Sequence, residues 1–189
     1  MSTGELAEKI RRLKAYFGAD GGVTVSGGEP LMQSDFVAEL FSLCHSEGIH
    51  CALDTSGCVY NEGVERLLKL TDLVLLDYKY TNAKDYLERC GCKQDTVDRF
   101  LDRLEEMGKR VWIRQVIIPG INDGEESLDR LYGLREKYTC IEKIELLPFR
   151  KLCLEKYESM GLEFPLKDVP EADADTVLAL GKRAKERAR

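Results

Sequence analysis

The chain has 189 residues, 43% hydrophobic and 33% charged, which suits one folded globular domain with a substantial core. A formal net charge of −6 argues against nucleic acid as a main partner. No apolar run is long enough to cross a bilayer, and the first residues do not read as a secretory signal, so a cytoplasmic location is expected.

Periodicity predicts an amphipathic helix over 5–17, with Leu6, Ile10, Leu13 and Phe17 on one stripe. The breaker pair Gly21-Gly22 opens a strand over 23–26, which ends in Ser26-Gly27-Gly28-Glu29-Pro30. Glycines at a strand end let backbone amides approach a ligand closely, and Glu29 would be an acceptor at that mouth or the cap of the next helix. That helix is expected over 34–47, with Phe36, Val37, Leu40, Phe41 and Cys44 inward and Gly48 as its stop. A strand over 49–54 breaks at Thr55-Ser56-Gly57, a short helix covers 61–70, and a strand over 72–79 is apolar on both faces. Helix 95–107, strand 110–118, helix 124–138 and strand 143–149 follow. A segment marked by Pro165 and Pro170 precedes a last helix over 173–188, whose basic end suits the helix dipole.

One helix followed by five strand-to-helix repeats implies parallel strands joined by right-handed crossovers, in a barrel or an open sheet. The leading helix has no strand before it from which to return. No repeat or linker suggests a second domain, so 1–189 is expected to be one unit.

Chemistry in such folds sits at the carboxyl ends of the strands. Those ends carry Gly28 and Glu29, then Asp54, then Asp77-Tyr78-Lys79, then Arg114, then Arg150. Asp77 and Lys79 are two apart and point the same way. Any one of these residues has an ordinary explanation as half of a structural ion pair. Polar groups at five strand ends after apolar strands imply a polar ligand at the mouth, because burying them unpaired is costly. Gly-Lys-Ser/Thr is absent after the glycines, as is Gly-x-Gly-x-x-Gly, so a P-loop and a dinucleotide fingerprint are excluded.

Seven cysteines, at 44, 51, 58, 90, 92, 140 and 153, make an odd number with no Cys-x-x-Cys pair. Reduced thiols are expected, most of them acting as small buried hydrophobes. Cys90-Gly91-Cys92 comes nearest to a metal motif but has no third ligand at a familiar interval. His45 and His50 read as surface residues unsuited to a catalytic triad or a zinc site.

The stretches 26–30, 53–57, 76–79, 111–120 and 144–149 resemble, in order, those of the radical S-adenosylmethionine (SAM) activases of glycyl-radical enzymes. The resemblance covers essentially the whole chain and implies a partial (β/α)6 barrel, reduced here to five strands. It implies that Gly28 and Glu29 hold the methionine amino group of SAM. Asp77, Tyr78 and Lys79 would serve the methionine carboxylate, and Asp54 and Asp77 a monovalent cation. Arg114 would lie on the cofactor side of the fourth strand, and Arg150 near the adenosine, where a histidine is expected. The family uses a [4Fe-4S] cluster and a flavodoxin- or ferredoxin-type reductant to make a 5′-deoxyadenosyl radical, which takes hydrogen from a glycine of the partner.

Two departures stand out. The family's Cys-x-x-x-Cys-x-x-Cys loop and the strand before it are not in this sequence, and Arg150 replaces the expected histidine. The chain is therefore expected to hold no cluster and to be inactive alone, as a piece of such an enzyme. Its strand 23–26 should have a free edge, with Leu6, Ile10 and Leu13 uncovered, and should promote self-association. Two other readings are a non-catalytic scaffold for a glycyl-radical partner and an unrelated barrel lyase with Lys79 as a Schiff-base amine.

Overall fold

The computed structural model describes residues 1–18 and 21–188. Helix α1 (Thr3–Leu13) starts at a reciprocal cap: Ser2 accepts from the Glu5 amide, and Glu5 accepts from the Ser2 amide at 2.7 Å. One turn of 3-10 helix, Lys14–Tyr16, follows it. The strands are β1 (Gly22–Val25), β2 (His50–Thr55), β3 (Leu73–Asp77), β4 (Arg110–Ile117) and β5 (Ile141–Pro148). Between them lie α2 (Ser34–Ser46), α3 (Glu62–Lys69), α4 (Ala83–Cys90), α5 (Gln94–Glu106) and α6 (Glu125–Lys137). The chain closes with α7 (Leu154–Ser159) and α8 (Ala174–Arg187).

All neighbouring strands are parallel and the sheet order is β1-β2-β3-β4-β5, so the expected α/β alternation is present in one five-stranded sheet. Sequential order with right-handed crossovers places the connecting helices on one face. That face carries the core: Leu53, Val74 and Val111 share one row, and Leu76 and Ile113 the next. They are buried with Phe41, Leu67, Phe100 and Leu104 of the helices. The opposite face alternates with it and is only part-covered. Leu73, Leu75 and Trp112 lie there, below Asp54, Asp77 and Arg114.

Three expectations need correction. Strand β3 is fully covered on one face only; Leu73 and Leu75 are half-buried on the open side. In α1, Ile10 is buried against the core and Leu6 part-buried, but Leu13 is 52% exposed and leaves the stripe. Helix α1 lies on α2, where Thr3 donates to Glu39 at 2.8 Å, and so does not cross the open side of β1. Finally, α4 and α7 fall where no helix was expected. Each is under three turns, and between them they bury only Tyr86 completely, too little for a periodic signal. Helix α4 instead depends on Asn82, whose side chain accepts from the Asp85 amide at 2.9 Å. Among the described residues β1 has a single hydrogen-bonded neighbour, β2.

Candidate functional site

The candidate site is built where strand ends meet short loops. After β1, Gly27 sits at φ +124°, a backbone conformation that side-chain-bearing residues rarely adopt. Gly28 follows with open space where a Cβ would lie, and among the described residues it makes no backbone hydrogen bond. The loop therefore leaves the Gly28 backbone without a backbone partner among the described residues.

Glu29 does not stand free at that mouth. One carboxylate oxygen accepts from the Leu31 amide at 3.1 Å and the Thr55 hydroxyl at 2.6 Å. The other accepts from the Ser56 amide at 3.0 Å and from the Ser56 hydroxyl. A carboxylate has about four acceptor positions, so these four donors fill it. Glu29 both caps the 3-10 turn Pro30–Gln33 and clasps the end of β1 to the end of β2. Glu29 was expected, with Gly28, to hold an ammonium group; its carboxylate is engaged by these four protein donors. Gly57 completes the clasp at φ +68°, where an added Cβ would fall 2.9 Å from Leu76 and 3.0 Å from Phe100.

Beside the clasp, four expected residues meet on the open face. Arg114 Nη2 lies 2.5 Å from Asp54 Oδ1 and 3.0 Å from Asp77 Oδ1, and its Nε donates to Asp77 at 3.2 Å. Lys79 Nζ donates to the other Asp77 oxygen at 2.7 Å. The register sets this up, since Asp77 pairs directly with Arg114 across β3 and β4. Burial alone would favour a neutral guanidine, but the Asp77 and Asp54 carboxylates outweigh it and raise the Arg114 pKa. Two acids and two bases balance. The guanidinium joins the two carboxylates that were expected to share a monovalent cation.

Helix α4 supplies a support that sequence patterning missed. The hydroxyl of Tyr86, fully buried, accepts from the Lys79 amide at 3.0 Å and fixes the backbone from which Lys79 projects. Its signal was only one aromatic in a short polar segment. Tyr78 faces the other way. Its hydroxyl donates to Asp98 at 2.7 Å and accepts from Gln94 at 2.9 Å, both on α5, and its carbonyl accepts from Gln115. Tyr78 is thus part of the core. Arg150 also stays outside the cluster; its guanidinium donates to the Ala172 carbonyl at 2.8 Å and lies 3.6 Å from Glu171.

The thiols are less buried than expected. Only Cys44 and Cys51 are in the core; Cys90 is exposed and the other four are intermediate. Cys58, Cys90 and Cys92 line one open cavity of about 690 Å³ with Glu29, Ser56 and Lys79. The Cys92 thiol donates to the Lys93 carbonyl at 3.4 Å, and burial pushes its pKa up.

Residues 1–131 match the family described as the Radical SAM superfamily. The chain belongs to the radical SAM superfamily. It is 40% identical over 183 residues to a pyruvate formate-lyase-activating enzyme of Clostridium pasteurianum, an alignment covering 96% of this chain and 76% of that protein. The protein of the same name from Staphylococcus epidermidis is 37% identical over 180 residues, covering 92% and 72%. In fold, the chain is similar to a domain of pyruvate-formate lyase-activating enzyme from Bacteroides vulgatus, with a TM-score of 0.68 at 22% identity over 87% of this chain and 95% of that one.

Membership implies SAM and a [4Fe-4S] cluster as the family's cofactors. The described thiols do not fit the cluster. None has the Cys-x-x-x-Cys-x-x-Cys spacing of the family's cluster loop. The strand edge does fit a polar, zwitterionic ligand such as the methionine part of SAM. It offers the free Gly28 backbone and a Lys79 side chain that is 38% exposed beyond its bond to Asp77.

The clasp makes a direct prediction. Glu29→Ala strands the Leu31 and Ser56 amides and the Thr55 hydroxyl, and should cost about 2–4 kcal/mol of unfolding free energy in urea. Glu29→Gln, which keeps one oxygen acceptor, should cost less. A loss below about 0.5 kcal/mol for Glu29→Ala, within the scatter of ordinary surface changes, would show that the clasp is not structural.

Proposed function

We propose that this chain is the SAM-binding part of an activase for a glycyl-radical enzyme, with a pyruvate formate-lyase as partner, and that residues 1–189 act as one partial-barrel unit. The carrying observation is the charge-balanced edge formed by Asp54, Asp77, Lys79 and Arg114 beside the free Gly28 backbone. The curated relatives' shared name points to the same partner class.

In this reading Gly28 and Lys79 hold the methionine end of SAM. Asp77 orients Lys79, Arg114 orients Asp77, and Tyr86 fixes the Lys79 backbone. Glu29 keeps the two glycines at the mouth by clasping β1 to β2. SAM and a reduced cluster supply the radical chemistry, with a flavodoxin- or ferredoxin-type protein as the electron source. The thiols described above leave this chain alone without cluster ligands, and that same observation favours the second reading, a scaffold that binds the glycyl-radical partner without turnover. The Schiff-base reading loses support because Lys79 is ion-paired and part-exposed rather than desolvated.

Calorimetry with SAM tests the site. Weak binding is expected, and Lys79→Ala should reduce it by about tenfold or more, the worth of one charge-assisted contact. Binding that is unchanged in Lys79→Ala would remove Lys79 from the site.

The open side of β1 is the surface proposed for pairing with another strand. A β-branched edge with unpaired amides is a template for a second chain. Sedimentation should show concentration-dependent association, weakened by Thr24→Pro, which removes one β1 amide and disfavours a continuous strand. A strict monomer at high concentration would contradict it.

A further inference from the structure

At the amino-terminal edge of the sheet, away from the site described above, three donors of different chemistry converge. His45 lies in the last turn of α2, Cys51 is the second residue of β2, and Asp72 immediately precedes β3. His45 Nδ1 or Nε2, Cys51 Sγ and an Asp72 carboxylate oxygen all lie within 4.8 Å of one another. His45 Nε2 is 2.9 Å from Asp72 Oδ2, and that oxygen accepts from the Cys51 amide at 2.7 Å. Among the described residues this is the only group of three or more such donors gathered so closely.

We propose that His45, Cys51 and Asp72 form a binding site for a divalent transition metal, with zinc the ion that suits the donors best. Imidazole, thiolate and carboxylate are the three ligand types zinc takes in proteins. The Cys51 thiol, in weak contact with the Ile49 carbonyl at 3.5 Å and the Phe41 carbonyl at 4.0 Å, adds a third donor beside the His45–Asp72 pair. The Cys51 amide pins Asp72 Oδ2, which leaves the other oxygen for the ion and orients the carboxylate as a supporting hydrogen bond does in metal sites. The Cys51 side chain is fully buried, whereas those of His45 and Asp72 are 33% and 35% exposed. One side of the cluster therefore faces solvent, and a water completes four-coordination there. On binding, the Cys51 thiol gives up its proton to solvent.

The ion would tie α2 to the starts of β2 and β3. Cys51 lies three residues before Asp54 on the same strand, about 10 Å away, so the site is structural and separate from the candidate cofactor edge. His45, expected from sequence to be a surface residue unsuited to a zinc site, is the outer ligand.

Cobalt(II) added to the metal-free chain is the test. One equivalent should give a sulfur-to-cobalt charge-transfer band with the intense visible bands of four-coordination, and zinc should bleach both. Cys51→Ser should abolish the charge-transfer band. His45→Ala should weaken affinity by about tenfold or more while leaving the circular dichroism unchanged. The triple variant Cys58→Ser, Cys90→Ser, Cys92→Ser should keep the signal. No band in the native chain, a band that survives His45→Ala at full affinity, or a band lost in the triple variant would each overturn the assignment. If Cys51→Ser does not fold, His45→Ala and the triple variant decide it.

Discussion

The candidate site depends on one guanidinium. Arg114 is shared by carboxylates from two other strands, Asp54 on β2 and Asp77 on β3, while its own strand is β4. With it, each of these part-buried carboxylates has a cationic partner, and Asp77 keeps an oxygen for Lys79. The arrangement works only in the observed register. A slip of one residue between β3 and β4 would send Arg114 to the helix side and replace it with Ile113 or Gln115.

Two further devices make the edge rigid before any ligand arrives. Glu29 locks the β1 loop to the β2 loop through donors from Leu31, Thr55 and Ser56. Tyr86 locks the residue after β3 through the Lys79 amide. What remains free is small: the Gly28 backbone and the outer part of Lys79. A pocket whose polar groups are already satisfied by each other loses little on binding, which is the physical meaning of preorganisation. The cavity lined by Cys58, Cys90 and Cys92 opens beside this edge and adds thiols, not charge.

Much of the fold was legible in the sequence, because its strands are apolar runs bounded by glycine, proline and acidic punctuation. The order of five strands, their parallel sense and the location of Asp54, Asp77, Lys79 and Arg114 at one edge all follow from that patterning. Partners were not legible. Nothing in Gly27-Gly28-Glu29 reveals that Thr55 and Ser56, 26 and 27 residues later, would fill the carboxylate. Tyr78 lies between two mouth residues in sequence, yet strand alternation turns it into the core, where Asp98 receives its hydroxyl. Helix α4 escaped notice because one buried tyrosine makes no period. His45 and Asp72 are 27 residues apart, and only the crossover from α2 through β2 and α3 to β3 brings them together.

The central claim is that the polar ligand of this chain binds at the carboxyl edge, on Gly28 and Lys79. The most direct test is a titration of the isotopically labelled chain with SAM, followed residue by residue by NMR. The account predicts the largest amide shifts at Gly27, Gly28 and Lys79, movement of the Arg114 side-chain signal, and none at Cys51 or Asp72. Shifts centred on the opposite edge of the sheet, or absent from the Gly27 to Glu29 loop when binding is detected, would contradict it.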